Sequence, residues 1–160
     1  MDTNVNELLA IARRYCALIE SIEEDARDVA LGQLNALLPQ LHAAMAAVGP
    51  WQEENPEDAG VDLDQRFELF SRLRRLLGDL DGYWMEYDVT PDRQEMSGSL
   101  ADDLTDIYCE LKNGLTRLER NHDARRTLGR WRSGFCKDWG QHVVDAERHL
   151  YALSARDRLY

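Results

Sequence analysis

The chain has 160 residues, of which 44% are hydrophobic and 31% charged, a composition typical of a globular domain with its own core rather than of a disordered protein. The formal net charge of −11 argues against nucleic acid or an anionic membrane as partner, because an acidic surface repels phosphate. The sequence contains no apolar run near the roughly 18 residues that span a bilayer, so no membrane segment is expected.

The cellular location is predicted from the cysteines and the first residues. Cys16, Cys109 and Cys136 are far apart and fall within helical apolar patterns, so they are predicted to be reduced core residues. The chain does not start with a basic segment followed by an apolar one, which is the pattern of a secretory signal. We therefore expect a cytoplasmic protein.

Apolar residues recur at helical spacing along nearly the whole chain, and no segment alternates polar and apolar residues for long, which predicts helices throughout. The first helix is predicted to begin at Asn4, where a capping-box pattern occurs. A second such pattern at Ser21 predicts another helix that runs to about Val48. Pro39 lies inside this second helix, and we expect it to kink or break the helix.

The middle of the chain contains two loop-like stretches. Residues 49–60 are rich in proline and acidic residues and are predicted to be a loop before a third helix over residues 62–80. An aromatic segment over residues 83–87 is predicted to be either a turn of helix or an extended piece lying over the core. Residues 88–98 are predicted to be a second loop.

The last third of the chain predicts two more helices. The fourth is capped by Ser99 and runs to about Leu118, and the fifth is capped by Asn121 and runs to about Ser154. Three glycines weaken the fifth helix and are expected to bend it. We therefore predict that residues 1–160 form a single all-α domain, an antiparallel bundle of about five helices with a short aromatic segment between the third and fourth.

Two lines of polar side chains suggest a metal site. Their members recur at spacings of three and four on the predicted fourth and fifth helices, beside the apolar faces; they are Asp103, Asp106, Glu110, Asp138, His142, Asp145 and His149. If the two helices pack side by side, the lines face each other. Mixed carboxylate and imidazole ligation suits zinc, manganese or iron, whereas carboxylates alone suit magnesium.

The favoured interpretation of these lines is structural. Acids in the first turn of a helix offset its macrodipole, and this alone accounts for Asp103. The pairs Asp138–His142 and Asp145–His149 have the spacing of i, i+4 pairs that stabilise a surface helix slightly.

A basic patch and an aromatic segment are the other candidates. The basic patch is a candidate anion or partner surface formed by Arg125, Arg126, Arg130 and Arg132, although balancing the protein's own acids is the favoured reading. The aromatic segment is a candidate ligand pocket or partner anchor formed by Tyr83, Trp84 and Tyr87. The favoured interpretation of that segment is that its aromatic side chains complete the packing of the core.

Residues 98–115, GSLADDLTDIYCELKNGL, resemble the central motif of an uncharacterised bacterial family of small acidic all-helical proteins, a domain of unknown function. Residues 6–20, 83–88 and 131–150 fit the same family. The resemblance implies a small all-α bacterial protein and brings no catalytic residue with it.

A looser similarity, at the level of the fold, is to the all-α nucleotide pyrophosphatases, which bind magnesium through acids on two neighbouring helices. In that comparison Asp103, Asp106 and Glu110 correspond to one half of the site and Asp145 to the other. This chain lacks the paired-glutamate motif of that group, and it places histidines where that group does not use them.

From these observations we expect a non-enzymatic cytosolic helical module that binds another protein or a second copy of itself and requires no cofactor. The alternative is a hydrolase that depends on a divalent metal and acts on a nucleotide or another phosphorylated small molecule. In that case the acids hold the ion, His142 or His149 ligates it or shuttles protons, and Arg132 holds phosphate.

Overall fold

The computed structural model describes residues 2–49, 61–86 and 95–156. The described helices, in chain order, are α1 Thr3–Ser21, α2 Arg27–Ala47, α3 Leu63–Leu77, α4 Leu100–Asn121, α5 Ala124–Gly134 and α6 Gly140–Ala155. A π turn over Phe135–Trp139 joins α5 to α6, and the strands β1 Gly82–Glu86 and β2 Glu95–Ser99 lie between α3 and α4. The predicted helical bundle is confirmed, with α5 and α6 together forming its fifth helix. Among the described helices, none combines the length and the apolar character that crossing a membrane requires.

Helix α4 is the centre of the bundle. It packs against α1, α3, α5 and α6, while α2 packs against α1 and α6. The largest fully buried side chains include Trp131, Trp139 and Tyr15. The Tyr15 hydroxyl donates a hydrogen bond of 2.8 Å to the carbonyl of Leu104, so even the polar atom of this core tyrosine ties α1 to α4.

The first two helices begin at residues other than those predicted. The cap of α1 is Asp2 rather than Asn4, and its carboxylate accepts a hydrogen bond of 3.3 Å from the Asn4 amide. The Ser21 hydroxyl donates to the carbonyl of Leu18, so Ser21 ends α1 instead of capping α2. Helix α2 continues through Pro39 without a break. Pro39 is exposed, so water can reach the carbonyl that loses its amide donor.

The caps of the later helices agree more closely with those predicted from the sequence. Asp62 caps α3, and the Ser99 hydroxyl accepts from the Asp102 amide at the start of α4, as predicted. Helix α4 ends at Asn121, and the φ of 53° at its C-cap, His122, lies in the left-handed region that closes helices. The cap of α5 is therefore Asp123 rather than Asn121.

The aromatic segment is a strand. β1 pairs with β2 in antiparallel register, with Tyr83 opposite Gly98 and Trp84 opposite Ser97. The extended alternative for residues 83–86 is therefore right, and the predicted loop is wrong for residues 95–98. Residues 87–94 lie outside the described part of the chain. The sequence does not indicate β2, because three of its five residues are glycine or serine, which have low strand propensity.

Asp81 fixes the base of this hairpin to α4. Its carboxylate accepts hydrogen bonds from the Ser99 hydroxyl and, at 2.7 Å, from the Ala101 amide. Its carbonyl accepts from the Leu100 amide at 3.0 Å. These bonds satisfy amides at the start of α4 that lack partners within the helix. They also place β1 beside the first turn of α4, where the candidate site lies.

Candidate functional site

His142 joins α6 to α4 through both nitrogens of its ring. Nδ1 lies 2.8 Å from Oδ1 of Asp103, and Nε2 lies 2.9 Å from Oδ2 of Asp106. The hydrogen bonds to Asp103 and Asp106 raise the pKa of His142 to about 10, although burial opposes the charged form. Both nitrogens therefore donate at neutral pH, and the ring is an imidazolium held between two carboxylates.

Arg66 brings α3 into the same arrangement. Its Nε donates a hydrogen bond of 2.9 Å to Oδ1 of Asp106, and its Nη2 donates at 2.9 Å to Oδ1 of Asp102. Burial alone would raise the pKa of Asp106, but the hydrogen bonds from His142 and Arg66 outweigh it and lower that pKa. The Asp106 carboxylate is thus ionised and shared by two cations.

Tyr83 completes the arrangement from β1. Its hydroxyl donates to Oδ2 of Asp103, and its ring lies over Gly98, where a Cβ would be 2.2 Å from Cε2 of the ring. Burial, which leaves Asp103 only 3% exposed, raises the pKa of that carboxyl despite its hydrogen bonds from His142 and Tyr83. We call the six connected side chains the Asp–His cluster: Arg66, Tyr83, Asp102, Asp103, Asp106 and His142.

An open groove of about 1040 Å³ lies over the Asp–His cluster. The hairpin forms one side of it, and α3 and α6 form the others. The side chains from α3, the π turn and α6 combine both signs of charge with apolar surface; they are Phe70, Arg74, Lys137, Asp138, Gln141, Val144, Asp145 and Arg148. The groove is therefore a mixed surface, and Asp102, Asp103 and His142 reach it from below.

The structure brings together three of the seven side chains in the predicted polar lines, namely Asp103, Asp106 and His142. Asp138 and Asp145 line the groove, where Asp145 accepts a hydrogen bond of 2.9 Å from Gln141. In the described structure neither carboxylate forms a hydrogen bond to the Asp–His cluster, although the charge of Asp145 contributes to the raised pKa of Asp103.

Glu110 and His149 lie apart from the Asp–His cluster. Burial raises the pKa of Glu110, against the influence of Arg130, and its carboxylate makes no hydrogen bond to the cluster in the described structure. His149 is buried, and its Nε2 donates a hydrogen bond of 2.6 Å to the carbonyl of Leu80. Its ring packs 4.7 Å from that of Tyr83. His149 thus packs against the ring of Tyr83 and helps to hold it in place.

The similarity to the pyrophosphatases assigned Asp103, Asp106 and Glu110 to one half of a magnesium site and Asp145 to the other. Glu110 lies apart from the others, so these four acids do not all meet.

The structure places the four arginines of the predicted basic patch in different surroundings. Arg132 donates a hydrogen bond of 3.3 Å to the carbonyl of Met45 near the end of α2. Arg126 and Arg130 line a separate small pocket of about 140 Å³ together with Arg117. Arg125 is exposed and is not among the residues that line that pocket.

The aromatic candidates are divided between the two faces of the hairpin. Tyr83 is half-buried and faces the Asp–His cluster, whereas Trp84, its neighbour on the strand, is 72% exposed. This difference follows from the alternation of side chains along a strand. Trp84 borders another hollow, of about 360 Å³, beside α6. Tyr87 lies outside the described residues.

Arg66, Asp102 and Gly98 were not among the predicted site residues. A signal for Arg66 was present, because on a helix it falls on the same line as the buried Leu73 and Leu77, where an arginine needs a partner. Asp102 is four residues before Asp106, so one helix face presents both acids to Arg66. Nothing in the local sequence indicates that Gly98 lies under a tyrosine ring.

One ligand atom from each of Asp102, Asp103 and His142 lies within 4.8 Å of the other two, a separation that would let these side chains share a metal ion. Two of these residues come from α4 and the third from α6. The groove above leaves one side of this set open.

The fold and the Asp–His cluster define a small helical-bundle protein with a charged centre beneath a surface groove. The chain belongs to the family described as Domain of unknown function (DUF5063), which it matches over residues 1–156. Its fold is similar to that of protein BF1032 from Bacteroides fragilis, with a TM-score of 0.78 and 23% sequence identity over 95% of this chain and 92% of that chain. No curated protein sequence matches it.

Proposed function

We propose that the protein is a helical binding module whose ligand is a divalent transition-metal ion, held by Asp102, Asp103 and His142 at the floor of the groove. The observation that carries this proposal is the approach of their ligand atoms to within 4.8 Å of one another. A set with two carboxylates and one imidazole suits manganese, iron or zinc better than magnesium or calcium, which prefer oxygen ligands.

The distance between the two best-placed ligand atoms supports the proposal. Nδ1 of His142 and Oδ1 of Asp103 are 2.8 Å apart. Ligand bonds of about 2.0–2.2 Å place neighbouring ligand atoms roughly 3 Å apart around an ion. The ion takes the place of the proton on Nδ1, and little movement of either side chain is needed.

The outer partners of the three ligands also support the proposal, because metal ligands in proteins are held by a second layer of hydrogen bonds. Asp106 accepts from Nε2 of His142, which leaves Nδ1 directed at Asp103. Tyr83 donates to the second oxygen of Asp103, and Arg66 donates to Asp102. Each proposed ligand is thus oriented by a side chain outside the ligand set.

The test is metal stoichiometry. Chelator-treated protein is incubated separately with Mn²⁺, Zn²⁺ and, without oxygen, Fe²⁺; gel filtration and elemental analysis follow. We expect about one ion per chain for at least one of these metals. Asp103→Asn and His142→Gln are expected to lose the ion, because amides are much weaker metal ligands than the groups they replace.

Asp138→Asn is the matched control, because Asp138 lines the groove without contacting the Asp–His cluster; it is expected to keep the ion. Circular dichroism establishes that each variant is folded. Failure of the wild-type protein to retain any of the three metals would overturn the proposal. Equal retention by wild-type protein, Asp103→Asn and His142→Gln would overturn it too.

A second candidate is a metal-dependent hydrolase of a phosphorylated small molecule, favoured by the basic side chains along the groove. Arg74, Lys137 and Arg148 line it, and cations of this kind bind phosphate. A bound metal would supply hydroxide at neutral pH. Turnover of p-nitrophenyl phosphate or a nucleotide by metal-loaded protein would support this candidate. A higher KM in Arg148→Gln, with metal retained, would assign substrate binding to the groove.

The proposed location is the bacterial cytoplasm. Its support is that Cys16, Cys109 and Cys136 are all free, as expected in a reducing compartment. Burial raises the pKa of Cys16 to about 12, which keeps that thiol protonated and unreactive. Fractionation of the native bacterium with an antibody against the protein tests the location.

A further inference from the structure

Helix α3 carries an exposed apolar stripe outside the Asp–His cluster. Leu63 is 74% exposed and Phe67 is 67% exposed, and both lie on one side of the helix with the half-buried Phe70 and the exposed Arg74. We call these four residues the α3 stripe. Arg74 lies over the ring of Phe70, 5.9 Å from its centre. Neighbouring apolar side chains left in water on one face are typical of an interaction surface.

The charges beside the α3 stripe are ordered along the helix. Asp64 and Glu68 lie in the first half, whereas Arg74 and Arg75 lie in the second. Among the described residues, Asp64, Glu68 and Arg75 form no ion pair. One end of this surface is therefore acidic and the other basic, and neither charge is compensated on the described surface.

We propose that two copies of this chain associate through the α3 stripe, with the two α3 helices antiparallel about a two-fold axis. An antiparallel arrangement places the acidic half of one helix against the basic half of the other. Asp64 of each copy then faces Arg75 of the other copy, so the contact occurs twice. A parallel arrangement would place like charges together. A surface that is complementary to itself under a two-fold rotation is what a symmetric dimer requires.

The size of the stripe sets the expected strength of the dimer. Helix α3 has 15 residues, which gives it a length of roughly 22 Å at 1.5 Å per residue. One helix from each copy forms a seam smaller than a standard interface. We therefore expect a reversible dimer with a dissociation constant of about 1–100 µM rather than a permanent one.

Sedimentation velocity of the chelator-treated full chain, over concentrations that bracket this range, tests the proposal. We expect the weight-average mass to rise from monomer towards dimer. Phe67→Asp is expected to keep the chain monomeric throughout, because it places a charge at the centre of the seam. Val29→Asp is the control, because Val29 on α2 is also 67% exposed but lies outside the stripe, and it is expected to dimerise normally.

A charge exchange tests the antiparallel arrangement itself. Asp64→Arg and Arg75→Asp are each expected to weaken self-association at least tenfold, because each places like charges opposite each other twice. Mixing the two variants is expected to restore association, because both contacts in the mixed dimer then join an acid to a base. Higher salt is expected to weaken the mixed dimer.

Three results would overturn the proposal. The first is a wild-type chain that stays monomeric across the concentration range, which would mean that the α3 stripe is a surface for a different protein. The second is a dimer that Phe67→Asp does not disturb. The third is a mixture of the two charge variants that associates no better than either alone. None of these results bears on metal retention, so the two proposals fail independently.

Discussion

Nδ1 of His142 lies 2.8 Å from Oδ1 of Asp103, and this one contact joins helices whose residues are 39 positions apart in the chain. Asp103 is 3% exposed, so the contact lies at the boundary between the core and the groove. A charged pair in such a place strengthens the packing of α6 on α4 only while both partners keep their charges.

The stability of the metal-free protein is therefore expected to depend on the protonation of His142. Its pKa is raised to about 10 in the folded protein, against about 6.5 in an unfolded chain. Because the folded state holds the proton more tightly, this contribution to the free energy of unfolding is complete below about pH 6.5 and disappears as the pH rises through about 10.

Urea denaturation at pH 6, 8 and 10 measures this effect, with His142→Gln as the comparison. The difference in free energy of unfolding between the two proteins is expected to shrink steadily as the pH rises. Nitrogen-15 NMR of the imidazole gives a direct view, because a doubly protonated ring is expected at pH 8. A neutral ring at that pH would contradict the prediction.

Gly98→Ala is expected to displace the ring of Tyr83. A Cβ at Gly98 would lie 2.2 Å from Cε2 of that ring, and overpacking of this kind costs about 1–3 kcal/mol. The displaced hydroxyl would also lose its bond to Asp103. Gly82→Ala, in the opposite strand, is the control, because a Cβ there meets nothing within 4 Å.

The measurement for this pair is the free energy of unfolding, with tyrosine ring NMR signals reporting on Tyr83. We expect Gly82→Ala to change stability by less than about 0.5 kcal/mol. Equal stability of the two glycine variants would mean that the ring of Tyr83 does not depend on the space at Gly98.

Gly114→Ala is expected to separate α4 from α5. Trp131 is fully buried, its Nε1 donates a hydrogen bond of 2.9 Å to the carbonyl of Glu110, and a Cβ at Gly114 would lie 2.2 Å from that nitrogen. We expect a loss of about 1–3 kcal/mol in the free energy of unfolding, together with a change in tryptophan fluorescence.

The control for this change is Gly32→Ala in α2, where a Cβ meets nothing within 4 Å. It is expected to raise the free energy of unfolding by about 0.5–1 kcal/mol, because alanine loses less entropy than glycine in a helix. The two helical glycines should thus respond in opposite directions. A stabilising Gly114→Ala would show that the helices move apart at no cost.

Arg66→Lys is expected to weaken the connection between α3 and α4, although it keeps the charge. The guanidinium of Arg66 contacts Asp102 and Asp106 at once, and a single ammonium cannot reproduce this fork. We expect a loss of about 1–2 kcal/mol, measured by urea denaturation at protein concentrations below those that favour self-association.

Arg75→Lys is the control on the same helix, because Arg75 is exposed and is expected to change stability by less than about 0.5 kcal/mol. If both lysine variants were equally stable, the double contact of Arg66 would contribute nothing beyond its charge.

Local patterns in the sequence predicted the helices well, and the physical reason is visible in α4. Its apolar residues recur at helical spacing, and Ser99 supplies a cap that depends only on residues three positions away. Asp103 and Asp106 also share a side of the helix as the spacing requires. Features set by neighbours in the chain are the ones that a single sequence reveals.

The partners of those acids are set by packing between helices, which local patterns do not reveal. His142 and Arg66 reach α4 from opposite directions in the chain, 36 to 40 residues away. Asp81 likewise caps α4 from 20 residues before Ala101. The meeting of four elements, α3, β1, α4 and α6, at the Asp–His cluster depends on the order of helices around the bundle, and the sequence left that order open.

The hairpin shows a different reason for failure. β2 contains little that favours a strand, yet Gly98 is there because the ring of Tyr83 occupies the space of its missing side chain. A residue chosen for what it lacks leaves no positive signal in the sequence. The same is true of Gly114 beneath Trp131.

The central position of α4 has a consequence for the order in which the chain is made. Synthesis proceeds from the N-terminus, so α1, α2 and α3 are translated before α4, the helix that α1 and α3 pack against. Until α4 emerges, the sides of α1 and α3 that it covers face water or the tunnel wall. The growing chain therefore spends much of its synthesis with an unfinished interior, and chaperones have their main opportunity to bind it during that interval.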